Sequence, residues 1–86
     1  MMNFKQQELI EEFFQILKAG FPEIELINVT PSPEDPNDLW INIAGPQDED
    51  REFEMMDIAS ERTADILQDY GYLILAMPTR SQVVPA

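Results

Sequence analysis

Two segments with helical periodicity, each followed by a glycine, divide this chain into helix-length and strand-length pieces. Apolar residues recur at helical spacing from residue 9 to residue 17, and Gly20 follows. The same spacing runs from residue 55 to residue 70, and Gly71 follows. Glycine after such a segment is typical of a left-handed C-terminal cap. The pattern therefore predicts one helix over residues 4–19 and a second helix that ends at residue 70.

The start of each predicted helix carries a capping residue. Asn3 and Gln6 have the spacing of a capping box, in which side chain and backbone satisfy each other's hydrogen bonds. Asp48 precedes a first turn rich in Asp and Glu, whose carboxylates complement the positive end of the helix dipole. We therefore expect the second helix to begin after Asp48.

Three strand-length segments remain, over residues 23–30, 39–44 and 72–77. The first changes phase between Leu26 and Ile27, which predicts a bulge or burial on both faces. The second alternates cleanly, and the third is apolar throughout, with Pro78 expected to end it. The third strand could run parallel beside the second or lie against the first.

The order α-β-β-α-β predicts an α+β fold, with a three-stranded sheet and two helices packed on one face. Residues 1–78 are expected to form a single small domain, and residues 79–86 a flexible tail. No apolar run approaches the roughly 20 residues that cross a bilayer. The N-terminal segment is interrupted by acids and is unlike a signal peptide, so a cytoplasmic protein is expected.

The charge balance narrows the possible functions. The chain contains 17 Asp and Glu residues and five Lys and Arg residues, so its net charge is -12, and it has no His and no Cys. A His-activated nucleophile, a thiolate metal site and a disulfide are therefore excluded. Binding to free nucleic acid or to an anionic membrane is disfavoured, because Lys and Arg lead such binding. The sequence predicts a binding protein without a cofactor rather than an enzyme.

A sheet covered on one face leaves its second face open to a partner. The predicted members of that face are Trp40, Tyr72, Ile74 and either Ile24 with Leu26 or Ile27 with Val29. Trp40 and Tyr72 are the expected anchors, since aromatic residues dominate binding energetics. Ile58, on the polar side of the second helix, could extend the interface.

Acidic residues form two candidate groups. Glu11, Glu12, Asp65 and Asp69 lie on the outer sides of the predicted helices and are candidates for steering a basic partner. Glu34, Asp35 and Asp38 lie in a proline-rich loop and are candidates for Ca²⁺ or Mg²⁺ ligands. The loop lacks the glycine and distal Glu of an EF-hand, which favours a solvated loop over a metal site.

These patterns predict a small acidic protein-binding module, such as a regulator, an inhibitor, an antitoxin or an immunity protein. Its expected partner is a basic protein or a second copy of itself. One alternative is a nucleic-acid mimic that blocks a DNA-binding protein, and another is an accessory protein that binds divalent cations. Bunched acids interrupted by Lys and Arg favour the binding module over the mimic.

Overall fold

A computed structural model of the chain describes residues 3–79. Its elements are α1 (Phe4–Gly20), β1 (Glu25–Pro31), β2 (Leu39–Ala44), α2 (Glu49–Tyr70) and β3 (Ile74–Thr79). This order confirms the predicted α+β fold with two helices and a three-stranded sheet. Thr79 closes β3, so it belongs to the sheet, and the remainder of the predicted tail, residues 80–86, lies outside the described residues.

The start of α1 confirms the predicted capping box. The Gln6 backbone N–H donates to Asn3 Oδ1 at 2.8 Å, and the Asn3 N–H donates to Gln6 Oε1 at 3.0 Å. The predicted left-handed cap at Gly20 is wrong, because Gly20 is the last helical residue and Phe21, at φ -135°, is the cap. Pro22 follows, and a residue before proline is disfavoured in the helical conformation, so Phe21 leaves the helix and its ring is buried in the core.

Both predicted ends of α2 are confirmed. The Asp48 side chain accepts a hydrogen bond from the Asp50 N–H at 2.8 Å. Gly71 adopts φ 77°, in the left-handed region, and its N–H donates to the Leu67 carbonyl at 2.9 Å. A residue with a Cβ is strained in this conformation, which explains the glycine.

The sheet has the order β1-β2-β3. β1 pairs with β2 antiparallel, and its register shifts between Leu26 and Asn28, which confirms an irregularity at the predicted phase change. β3 pairs with β2 in parallel, so the chain crosses over through α2 before it returns to the sheet. The structure thus decides the strand order that the sequence left open.

The hydrophobic core lies between the helices and one face of the sheet. Leu39, Ile41 and Ile43 of β2 point into it, together with Ile74 and Ala76 of β3. The helices contribute Leu9, Ile10, Phe13 and Leu17 from α1, and Met55, Ala59 and Ile66 from α2. Because side chains alternate along a strand, the intervening residues define the second face of the sheet.

The third strand lies two residues later than predicted and contains Pro78. The Leu73 carbonyl accepts from the Leu39 N–H at 3.0 Å, and the Thr79 carbonyl accepts from the Gly45 N–H at 2.9 Å. In a parallel pair, every second residue of a strand directs its backbone N–H and C=O towards the neighbouring strand. The residues at positions 73, 75, 77 and 79 therefore direct their backbone groups towards β2. Pro78 faces the other way, and its missing N–H costs no bond between strands.

Candidate functional site

The second face of the sheet is apolar on the β3 side and polar on the β1 side. Trp40 and Ala44 of β2 alternate with core residues and are half-buried, as are Leu73, Leu75 and Met77 in and before β3. On the polar side, Asn42 Nδ2 donates to Asn28 Oδ1 at 2.8 Å and to Thr30 Oγ1 at 2.9 Å. We call the apolar part of this face, formed by Trp40, Ala44, Leu73, Leu75 and Met77, the Trp40 face.

Trp40 lies on the second face as predicted, but Ile74 and Tyr72 do not. Ile74 is fully buried in the core at 0% exposure. Tyr72 packs against the core, and its hydroxyl oxygen accepts a hydrogen bond from Asn3 Nδ2 at 3.2 Å. The prediction placed β3 one residue out of phase, and such a shift moves every side chain to the opposite face.

Neither pair predicted for the first strand joins the Trp40 face. Ile24 is buried in the core ahead of β1. Leu26 and Val29 stand opposite core-facing residues of β2, and Ile27 is the residue skipped where the register shifts. The β1 side of the second face is therefore occupied by Asn28 and Thr30, which limits the apolar surface to β2 and β3.

Leu73, Leu75 and Met77 are members of the second face that the sequence prediction missed. The segment from residue 72 to residue 77 is apolar at every position, so its alternation does not distinguish inner from outer residues. Pro78 is the local feature that could have indicated the phase of β3. A proline inside a strand must direct its missing N–H away from the neighbouring strand, which fixes which residues pair with β2.

A pocket of about 270 Å³ lies at the end of the Trp40 face, beneath the loop that joins β1 to β2. Its apolar lining comes from Trp40, Leu73 and Leu75. Its wall comes from the loop residues Ser32, Pro33, Glu34 and Asp38. The pocket therefore combines an indole ring and two leucines with two carboxylate side chains.

The loop that forms this wall is held by its own hydrogen bonds. The Ser32 N–H donates to the Asp38 carbonyl at 2.8 Å, and the Glu34 N–H donates to Ser32 Oγ at 3.2 Å. The Asn37 N–H donates to Asp35 Oδ1 at 3.0 Å. Within residues 3–79, no group of three or more acidic, His or Cys side chains is arranged to hold a metal ion. The loop thus positions single carboxylates, with Glu34 and Asp38 at the pocket.

The four predicted steering residues come together along the groove between α1 and α2. Glu11 and Glu12 line a depression of about 430 Å³ with Ile16 and Arg62. Asp65 and Asp69 line a smaller cleft of about 80 Å³, which also contains Glu12 and Arg62. Arg62 Nη2 lies 4.0 Å from Glu12 Oε1, a loose ion pair within an acidic groove.

Ile58 is 42% exposed on α2, and Ile16 on α1 is exposed to the same extent. Neither side chain is near the Trp40 face, because the helices cover the opposite face of the sheet. Ile58 therefore lies on the helix layer and does not extend the Trp40 face, contrary to the prediction.

The resolved pKa shifts belong to two surface ion pairs, Arg51 with Glu23 and, within α1, Lys5 with Glu8. Arg51 Nη2 donates to Glu23 Oε1 at 3.0 Å and to the Gly20 carbonyl at 3.1 Å, which ties the start of α2 to the end of α1. The hydrogen bond from Arg51 lowers the pKa of Glu23, and the same bond raises the pKa of Arg51. The hydrogen bond to Glu8 raises the pKa of Lys5.

The chain matches no protein-family model, and comparisons with the curated proteins and with the solved structures give no match. Within residues 3–79, neither helix has the length and apolar character required to cross a membrane.

Proposed function

We propose that this protein is a small acidic protein-binding module, and not an enzyme, which holds a basic segment of another protein on the Trp40 face. Regulators, inhibitors, antitoxins and immunity proteins are classes that act by such binding. The observation that carries the proposal is the pocket in which Trp40 lies beside Glu34 and Asp38.

The composition of the Trp40 face supports a protein partner. It contains an indole ring, two leucines and a methionine, and β2 and β3 contribute no charged residue to it. Protein interfaces are enriched in aromatic residues and Met, and their centres are depleted of charge. The helices on the opposite side carry most of the acidic residues, so the two faces differ sharply in charge.

The pocket suits an arginine or lysine side chain. An arginine guanidinium stacks on an indole ring and binds carboxylates through its planar donors. A volume of about 270 Å³ is slightly below the range of about 300–1,000 Å³ typical of small-molecule sites. The size therefore favours a single long side chain that extends from a partner protein.

The acidic groove between the helices supports a separate role in association. Glu11, Glu12, Asp65 and Asp69 lie away from the pocket, so they would attract a basic partner without contacting the bound side chain. Charges of this kind raise association rates, and salt screens their effect beyond about 10 Å at 0.1 M ionic strength.

Trp40 is the only tryptophan, so its fluorescence reports directly on the pocket. We would titrate the protein with an arginine-rich decapeptide and with a glutamate-rich decapeptide of the same length. The arginine-rich peptide is expected to change the fluorescence of Trp40 in a saturable way, and the glutamate-rich peptide is expected to leave it unchanged.

Two double variants of equal net charge separate the pocket from general attraction. Glu34→Gln with Asp38→Asn should raise the dissociation rate of the arginine-rich peptide at least tenfold. Glu11→Gln with Asp65→Asn should lower only the association rate, and less so at high salt. Equal effects of the two variants on dissociation, or no saturable change in fluorescence, would contradict the proposal.

A further inference from the structure

The two helices run antiparallel, and contacts at both ends fix how they align. At one end, Arg51 Nη2 near the start of α2 donates to the Gly20 carbonyl at the end of α1, at 3.1 Å. At the other end, Lys5 Nζ near the start of α1 lies 5.3 Å from the centre of the Tyr70 ring at the end of α2. Residues therefore face each other across the α1–α2 groove in opposite order along the two helices.

Two isoleucines lie at the same level on either side of this groove. Arg62 Nη2 lies 4.0 Å from Glu12 Oε1, so these two residues face each other across it. Ile16 follows Glu12 by about one helical turn, and Ile58 precedes Arg62 by about one helical turn. Because the helices are antiparallel, both steps lead in the same direction along the groove. We call Ile16 and Ile58 the isoleucine pair.

The isoleucine pair is accessible from outside the helix layer. Each of the two side chains is 42% exposed. The depression of about 430 Å³ described above is bordered by Ile16 and by the side chain of Arg62. A single exposed isoleucine is ordinary on a protein surface, but two at one level of a groove provide an apolar floor for a further side chain.

Exposed carboxylates surround the isoleucine pair. Glu54 lies four residues before Ile58, and Glu61 and Asp65 lie three and seven residues after it. This spacing places all three acids on the same side of α2 as Ile58. Glu11 borders the depression from α1. The groove thus combines an apolar floor with an acidic rim.

The acids of this rim exceed the basic groups available to neutralise them. Within residues 3–79, each of the four basic side chains already has a carboxylate within 4.0 Å. The pairs are Lys5 with Glu8, Lys18 with Glu25, Arg51 with Glu23 and Arg62 with Glu12. None of these pairs includes Glu11, Glu61 or Asp65, so the rim attracts positive charge.

We propose that the α1–α2 groove binds an amphipathic basic helix of a partner protein. Apolar residues of that helix, three or four positions apart, pack on the isoleucine pair, as in other complexes in which a helix lies in a groove. Its Lys and Arg residues contact Glu11, Glu61 and Asp65. The Trp40 face lies on the other side of the sheet, so this inference does not depend on the partner proposed there.

Charge complementarity selects this occupant over others. A second copy of the chain would bring its own acidic helices against the groove, with a net charge of -12 on each copy. An anionic membrane surface would be repelled for the same reason. A helix that carries both Lys or Arg and an apolar stripe satisfies the acidic rim and the apolar floor together.

The length of α1 sets the length of a suitable probe. Its 17 residues span about 25 Å at 1.5 Å per residue, so a helical peptide of about 18 residues covers the groove. The probe carries Leu at every third or fourth position, Lys elsewhere and a fluorescent label, and its anisotropy is followed as the full chain is added. Saturable binding is expected. A peptide of the same composition, reordered to remove the apolar stripe, is expected to bind at least tenfold more weakly.

Two alanine variants of α2 test where the peptide binds. Ile58→Ala removes half of the apolar floor and is expected to raise the dissociation constant at least fivefold. Leu67→Ala is the matched control, because Leu67 is 47% exposed and lies nine residues from Ile58, on the opposite side of the helix. Its expected effect is below about twofold. Alanine favours helix, and far-ultraviolet circular dichroism should show that both variants remain folded.

A third variant separates this site from the pocket at Trp40. Glu34→Gln with Asp38→Asn removes the carboxylates of that pocket and is expected to bind the helical peptide like the wild type. Loss of binding in this variant would place the peptide at the Trp40 face and overturn the inference. Equal binding of the two peptides, equal effects of Ile58→Ala and Leu67→Ala, or no saturable binding would overturn it as well. Self-association that Ile58→Ala abolishes, measured by sedimentation velocity, would assign the groove to a second copy instead.

Discussion

Replacing Ile74 with alanine tests which face of β3 is buried. Ile74 is fully buried, whereas its neighbour Leu75 is half-buried on the Trp40 face. Truncating a buried Ile to Ala costs about 2–5 kcal/mol, because the lost burial and the remaining cavity both contribute. A domain of this length has a total free energy of unfolding of roughly 4–13 kcal/mol. Ile74→Ala is therefore expected to remove a large part of the stability.

Thermal unfolding followed by circular dichroism gives the expected difference directly. A loss of about 3 kcal/mol lowers the Tm of a domain of this size by roughly 12–24 °C. Leu75→Ala removes a similar number of methyl groups from a half-exposed site and is expected to cost about 1 kcal/mol, or roughly 4–8 °C. Urea unfolding provides a second measure of the same free energies.

Comparing Ile74→Ala with Leu75→Ala can also refute the phase assigned to β3. If Leu75→Ala destabilises the protein as much as Ile74→Ala, or more, then β3 has the opposite phase. Leu73, Leu75 and Met77 would then belong to the core, and the second face of the sheet would lack the apolar surface assigned to it.

Three further predictions concern the helix ends. Asn3→Ala removes the capping box of α1 and should cost about 1 kcal/mol of unfolding free energy, measured by urea titration. Gly71→Ala forces an alanine into φ 77° and should destabilise by about 1 kcal/mol, whereas Gly20→Ala, in open space at the end of α1, should stabilise slightly. The hydrogen bond from Arg51 lowers the pKa of Glu23, so this pair stabilises the fold at neutral pH and loses its effect as acid protonates the Glu23 carboxylate. Glu23→Gln should therefore reduce the fall in stability below about pH 4.5. A parallel acid titration of the variant and the wild type measures this difference.

Local patterns in the sequence predicted most of the fold. The capping box at Asn3, the cap at Asp48 and the left-handed Gly71 are each decided by neighbouring residues, and the structure contains all three. β2 has the predicted bounds because its alternation of apolar and polar residues is unambiguous. Gly20 is not the cap because Phe21, the residue before Pro22, is the one that leaves the helical conformation, and its ring is then buried in the core.

The candidate site depended on contacts that no local pattern specifies. The phase of β3 is fixed by its pairing with β2, whose partner residues lie about 35 positions earlier in the chain. A uniformly apolar segment gave no preference for Ile74 or Leu75 as the buried residue. The pocket at Trp40 further requires the β1–β2 loop to lie over Leu73 and Leu75, which brings together two distant parts of the sequence.

The parallel pairing of β2 with β3 also has a consequence for how the chain folds. β1 and β2 are joined by a seven-residue loop, whereas β3 reaches β2 only after the whole of α2 has been placed. Contacts between distant segments form slowly, so β3 is expected to dock last. Until then β2, which contains no charged residue, has one bare edge that could pair with another chain. The net charge of -12 makes unfinished chains repel one another, so the acidity is expected to oppose aggregation of newly made protein.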